Sequence, residues 1–339
     1  MYSKNYPLNL LNKISDFMTF PMQLEQIIVE EKVEVIIAAG TLAGTLAMLV
    51  HRKTNTPYYV SFYEPHVLYM RDTGVWKKYD PRYLFQLRWE REQAQEAEGL
   101  ITVSEKFRQK VITNNLSSEE KVRSVRNAPD LFTFSFSEGD RAMVRTEFVA
   151  LHTTVGIYVG KYGDLYYKEV AFSIYKTCFD TIPDFRLIIL SPQPQKEIYK
   201  LLQQYQIDTA KVHVASVQHR EVPQYLSAAD FAFATIKSYP SARYCSPVKI
   251  GEYWANGLPV LLTEGVGDDS DIIKKEGGGA TFNLQEEGSV EKALQQILQI
   301  LEDPNHRREI PKLAQKYRSP ERIREAYAYF FGQKQEGQK

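Results

Sequence analysis

The chain reads as α/β in class, with two parallel sheets, and three features carry that expectation. Short apolar runs such as Val155-Gly-Ile-Tyr-Val159 and Phe231-Ala-Phe-Ala-Thr-Ile236 are bounded by turn residues, as strands covered on both faces are. Stretches with helical spacing alternate with these runs, which is the pattern of a parallel sheet with helices on either side. At 339 residues and 43% hydrophobic content, the chain is large enough for two cores.

Residues 1–20 carry no clear pattern. Residues 21–32 predict a helix with Leu24, Ile27 and Ile28 on one side, and 35–39 a strand ending at Gly40. Thr41 is placed to cap a helix of small residues over 42–52. A strand over 57–62 leads into the loop Tyr63-Glu-Pro-His66, at the strand end where open sheets bind ligands. A helix over 82–98, a strand over 100–103, a Ser104-capped helix and a strand near 122–125 follow. After a polar and aromatic stretch with a helix near 139–149, a second unit begins at Val155 and turns at Gly160-Lys-Tyr-Gly-Asp164. Its further strands fall at 187–190, 212–215, 231–235, 259–262 and 280–282, with helices between. That alternation is Rossmann-like. Closing helices are expected over 289–301, 307–317 and 320–331, and residues 333–339 read as a polar tail.

Charge excludes some functions. Lys+Arg and Asp+Glu number 42 each, so there is no electrostatic case for nucleic acid. Cys178 and Cys245 have neither metal-ligand spacing nor the makings of a disulfide framework, and a reducing cytoplasm suits them. No apolar run approaches the roughly 18 residues of a membrane span, and residues 1–30 lack a signal-peptide core. One basic and aromatic segment, with Arg71, Lys77, Lys78, Arg82, Arg88 and Arg91 among Trp76, Tyr79, Tyr83, Phe85 and Trp89, suits a membrane surface or a lipid-linked acceptor. It equally suits a solvated helix with a core-facing aromatic stripe.

The stretch richest in chemistry is Tyr244-Cys-Ser-Pro-Val-Lys-Ile-Gly-Glu-Tyr-Trp-Ala-Asn-Gly-Leu-Pro-Val260. Ser246 and Pro247 read as the cap and first residue of a helix, and Gly257 as its stop. Helical geometry puts Lys249, Glu252 and Asn256 within about 60° of one another, with Ile250 and Trp254 on the side that packs. A helix start, a cation and a carboxylate facing one way suit a nucleoside diphosphate: N–H groups and Lys249 for phosphate, Glu252 for ribose. An i,i+3 pair on a solvated helix face would look the same.

That stretch resembles the donor-binding segment of GT-B glycosyltransferases of the retaining family 4 type, whose pattern S-P-x-K-x-x-E-Y-x-A-x-G-x-P-V is matched by Ser246, Pro247, Lys249, Glu252, Tyr253, Ala255, Gly257, Pro259 and Val260. Thr263-Glu-Gly-Val-Gly-Asp-Asp-Ser-Asp-Ile-Ile273 is similar to the loop that follows, and the likeness spans about residues 30–330. Where many relatives carry an earlier Glu, Tyr244 stands. The resemblance implies two Rossmann-like domains with parallel sheets facing across a cleft. These would be an acceptor-side domain over 1–150, shorter than in relatives, and a nucleotide-sugar domain over 151–318. Residues 319–339 would be a helix returning toward the first domain, plus the tail.

The implied activity is transfer of a sugar from a nucleotide sugar to a glycan or lipid-linked acceptor, with retention and no metal or separate cofactor. Gly160, Lys161, Val217, Tyr244, Ser246, Lys249 and Glu252 would hold the donor, and His66, with Lys249 and Glu252, would serve catalysis. The setting implied is polysaccharide or glycoconjugate synthesis in the cytoplasm, or peripherally at the inner membrane face. The alternatives are a GT-B nucleotide-sugar epimerase, or a nucleotide-sugar-binding module that has lost transfer.

Overall fold

The computed structural model describes residues 9–148 and 153–332; the tail expected over 333–339 lies outside them. The chain forms two compact units, one of residues up to Val125 together with those from Glu325 onward, the other of Arg126–Arg324. Among the described residues no helix is long and apolar enough to cross a membrane.

The first unit opens with α1 (Asn9–Glu30), which starts well before the helix expected at 21–32 and carries Pro21 inside it. Proline suits a helix start, but packing can hold it in an interior; upstream of it the Phe17 ring packs, tilted, against Trp89 at 5.4 Å. The chain continues through β1 (Ile36–Ala39), α2 (Thr41–Thr54), β2 (Tyr58–Phe62), α3 (His66–Asp72), α4 (Pro81–Glu96), β3 (Gly99–Thr102), α5 (Glu105–Thr113) and β4 (Val122–Ser124). The strands pair in parallel in the order β1-β2-β3-β4. Thr41 is the first residue of α2 rather than its cap, a place Gly40 takes. Asp80 and Ser104 do cap, accepting the N–H groups of Arg82 and Phe107. Helix α3 was not expected. Its first turn is closed by Glu90 of α4, which accepts the N–H of Val67 at 3.0 Å, a cap no local pattern announces.

The second unit holds α6 (Glu138–Glu147), β5 (Val155–Val159), α7 (Glu169–Thr181), β6 (Arg186–Leu190), α8 (Gln195–Gln204), β7 (Val212–Ala215), α9 (Val222–Ala228), β8 (Phe231–Ala234) and α10 (Val248–Ala255). Then come β9 (Val260–Thr263), α11 (Asp269–Glu276), β10 (Gly279–Phe282), α12 (Ser289–Glu302), α13 (His306–Glu309) and α14 (Pro311–Arg318). All six strands are parallel, in the order β10-β9-β8-β5-β6-β7. Side chains alternate along each strand and so feed two cores. Val155, Ile157, Ala232, Ala234, Val260 and Leu262 meet α6, α9, α10, α11 and α14. Tyr158, Leu187, Ile189, Phe231, Phe233 and Leu261 meet α7, α8 and α12.

The last helix, α15 (Pro320–Gly332), returns its final residues to the first unit. There Phe330 and Phe331 pack on Tyr59 of β2, with ring centroids 5.4 and 4.8 Å away.

Candidate functional site

Where strand order reverses in an open parallel sheet, the connections leave on opposite faces and open a crevice at the carboxyl ends of the strands. In the second unit that point lies between β5 and β8. The turn after β5 and the start of α10 meet there. Helix α10 opens after Pro247 and closes at Asn256, with Gly257 just beyond. Ile250, Tyr253 and Trp254 are fully buried against the sheet, and the Trp254 indole N–H donates to the Gly278 carbonyl at 2.8 Å. With that face committed to the core, Lys249 and Glu252 turn elsewhere, as the helical spacing requires.

The Lys249 stem is half-buried, but its ammonium is sealed from water and has no hydrogen-bond acceptor among the described residues. It lies 4.0 Å from the centre of the Tyr166 ring and 4.9 Å from that of Tyr158, on two electron-rich faces. Burial pushes its amine from 10.5 down to about 7, against the pull of the Glu252 charge. On its third side stands Gly160. A Cβ there would come within 2.8 Å of the Lys249 Nζ, and the φ of +142° is one that other residues rarely adopt. The structure thus brings Gly160, Lys249 and Glu252 together.

Glu252 is 6% exposed, and its Oε1 lies 2.9 Å from Nε2 of His219. His219 opens a single 3-10 turn, His219–Glu221, beyond β7. A reciprocal cap fixes that turn, with the Gln218 N–H donating to Glu221 Oε2 at 2.8 Å. The imidazole packs on Phe134 at 5.1 Å.

Other expected site residues point elsewhere. Lys161 is exposed and paired with Asp164 at 2.6 Å, within its own turn. Ser246 does not cap α10; its hydroxyl accepts the N–H of Asn127 at 3.2 Å, and its carbonyl accepts the Asn127 carboxamide at 2.7 Å. That tie docks residues 127–130 on the start of α10, and Pro129 lies against Gly251. Tyr244 sits under the Arg243 guanidinium at 5.5 Å. Val217 is partly buried against the core beside α9. Asn256 is wholly buried and donates to Ser135 and Ser227, a packing role.

The loop after β9 is held firmly. Arg318, fully buried, grips both Asp269 oxygens at 2.7 and 2.6 Å and donates to the Asn127 carbonyl at 2.9 Å. Arg126 pairs with Asp268 at 2.7 Å. Gly267 lies so close to Cys245 that a Cβ would fall 2.3 Å from its carbonyl oxygen, which fixes the approach to α10. In the first unit, His66 is the first residue of α3, with Nδ1 3.0 Å from Glu64 and its ring edge-on to Trp76. Burial pushes the nearby Glu90 carboxyl up to about 7.

Sequence reasoning missed His219, Tyr158, Tyr166 and Arg318. Tyr158 and Tyr166 were readable only as aromatic residues near a turn. Nothing in the order of residues says that His219 meets a glutamate 33 positions on.

Two family models match the chain. One, described as a glycosyl transferase 4-like domain, covers residues 7–128. The other, glycosyl transferases group 1, covers residues 154–303. Among curated protein sequences none matches. Among solved structures, sucrose-phosphate synthase from Thermosynechococcus elongatus aligns over 99% of this chain and 81% of its own, at 18% identity and a TM-score of 0.68. Anabaena HepE in complex with UDP aligns over 95% of this chain and 84% of its own, at 15% identity and a TM-score of 0.70. The lipopolysaccharide outer core galactosyltransferase WaaB aligns over 97% and 83%, at 14% identity and 0.64. HepE has also been seen with UDP-glucose. At such identities the likeness speaks for the fold, and the two family models speak for the family. The chain belongs to the glycosyltransferases of GT-B fold, with a glycosyl transferase 4-like first half and a group 1 second half.

Proposed function

We propose that this glycosyltransferase takes its sugar from a nucleotide-sugar donor held mainly by the second unit, and passes it to a glycan or lipid-linked acceptor with retention. The observation that carries the reading is Lys249. A sealed ammonium with no acceptor among the described residues is costly to maintain, and it stands at the carboxyl end of β5, where Gly160 leaves it room. A diphosphate there would supply the missing acceptors. The opening turn of α10 would add backbone N–H groups and the positive end of its dipole. Glu252, one turn on, would take the ribose hydroxyls. Charge growing on the leaving diphosphate would be met by these groups, already in position.

Uridine is the base to try first, since HepE binds UDP and UDP-glucose. The test is titration of UDP, GDP, ADP and dTDP by calorimetry, for wild type and Glu252→Ala. Loss of one charge-assisted contact predicts weakening by about 1.5–3 kcal/mol. A folded Glu252→Ala variant with unchanged affinity would take the glutamate out of the site. Product analysis separates transfer from epimerisation of the free nucleotide sugar.

The acceptor reading extends to the first unit. Tyr79 is 82% and Phe85 62% exposed, beside exposed Lys77, Lys78 and Arg91, so these two rings face water among cations, while Trp76, Tyr83 and Trp89 are half-buried. That surface fits an anionic bilayer. Co-sedimentation with phosphatidylglycerol vesicles, lost in Tyr79→Ser with Phe85→Ser, is the check; equal sedimentation of both proteins rejects it.

A further inference from the structure

We infer that His219 is a positioning residue for the donor ribose, acting through Glu252. This deepens the nucleotide-sugar reading and rests on it. The carboxylate of Glu252 is almost wholly buried, yet among the described residues its hydrogen-bond partner is a single one, the imidazole of His219, at Oε1. A carboxylate offers about four lone-pair positions. Held at one oxygen, it keeps a fixed plane and leaves the other oxygen free to accept from vicinal hydroxyls. The imidazole is itself held: its backbone lies in the turn closed by Gln218 and Glu221, and its ring rests on Phe134. The His219 side chain is 74% exposed, so it contributes little to the core, whereas Glu252 beneath it is 8% exposed. A ring so exposed yet pinned at both its face and its Nε2 costs rotamer freedom for little burial. Fixing the orientation of the carboxylate is what that arrangement accomplishes. The outcome would be a site that distinguishes a ribose from a deoxyribose more sharply than an untethered glutamate does.

The test uses the full chain as wild type, His219→Ala and His219→Gln, with Glu252→Ala beside them, and measures the affinity of each for UDP, 2′-deoxyUDP and inorganic pyrophosphate. Glutamine keeps an N–H donor near the position of the imidazole Nε2. His219→Ala should bind UDP roughly 3- to 10-fold more weakly, the scale of one hydrogen bond. Its pyrophosphate affinity should hold, its preference for UDP over 2′-deoxyUDP should shrink, and His219→Gln should restore that preference. General damage to the site would weaken UDP and pyrophosphate alike and overturn the inference. So would unchanged UDP affinity, and so would tighter binding by His219→Ala, which would mean that the imidazole competes with ribose. Failure of the donor reading looks different: wild type would bind no nucleoside diphosphate at all. UDP binding that Glu252→Ala loses and His219→Ala leaves intact would sink the role of His219 alone.

Discussion

Lys249→Met should stabilise the second unit, and by an amount that depends on pH. The variant keeps a side chain of similar length between Tyr158 and Tyr166 but removes a sealed charge. In the fold the amine sits at about 7 against 10.5 in the open chain. At about 1.36 kcal/mol per unit, that gap is roughly 5 kcal/mol as an upper bound on the cost of holding the ammonium. The half-exposed stem and the two ring faces soften it, so a gain of about 2–3 kcal/mol at pH 6.5 is expected. The folded pKa is depressed. Below about 7 both states are protonated and the whole cost is present; between 7 and 10.5 the folded state sheds its proton first, so wild type gains stability as pH rises. The advantage of the variant should therefore shrink as pH rises from 6.5 to 8.5, by up to about 2 kcal/mol. Hydrogen exchange of the β5 and β8 amides reads the opening of this unit by itself, which matters in a chain of two units. A gap that stays flat with pH, or a variant less stable at pH 6.5, would refute the claim that this ammonium is held at a cost. The same variant should bind UDP about 1.5–3 kcal/mol more weakly.

Gly160→Ala forces a Cβ toward Lys249 Nζ at a φ of +142°, so thermal unfolding should show a loss of about 1–3 kcal/mol, with weaker UDP binding beside it; unchanged affinity would separate the turn from the donor site. His66→Ala should leave UDP affinity in place and lower sugar transfer on the order of 10²-fold, read by product formation, and equal transfer rates would remove His66 from catalysis. Arg318→Ala strands the buried Asp269 carboxylate, and a destabilisation of about 3–5 kcal/mol is expected in urea titrations. A loss under about 1 kcal/mol would show that Asp269 finds water or another partner.

Much of the fold was written locally. Apolar runs over 155–159, 187–190 and 231–235 became β5, β6 and β8 because buried parallel strands need apolar side chains on both faces. Ser104 capped α5 as its hydroxyl allows, and Gly257 stood just past α10. The spacing of Lys249 and Glu252 against Ile250 and Trp254 was enough to say which residues pack and which remain for a ligand. What the sequence could not say depended on partners distant along the chain. Pro21 looked like a helix start, yet it lies within α1. Ser246 looked like a cap, yet its hydroxyl went to Asn127, because a backbone N–H arriving from 119 residues away took that oxygen. Lys161 looked like a phosphate ligand and folds back on Asp164. The seating of Lys249 over two tyrosine rings and the hold of His219 on Glu252 arose only when β5, β7 and α10 converged at the reversal of strand order. Helix and strand periods are properties of neighbouring residues; the solvation of one ammonium and the orientation of one carboxylate are properties of everything packed around them.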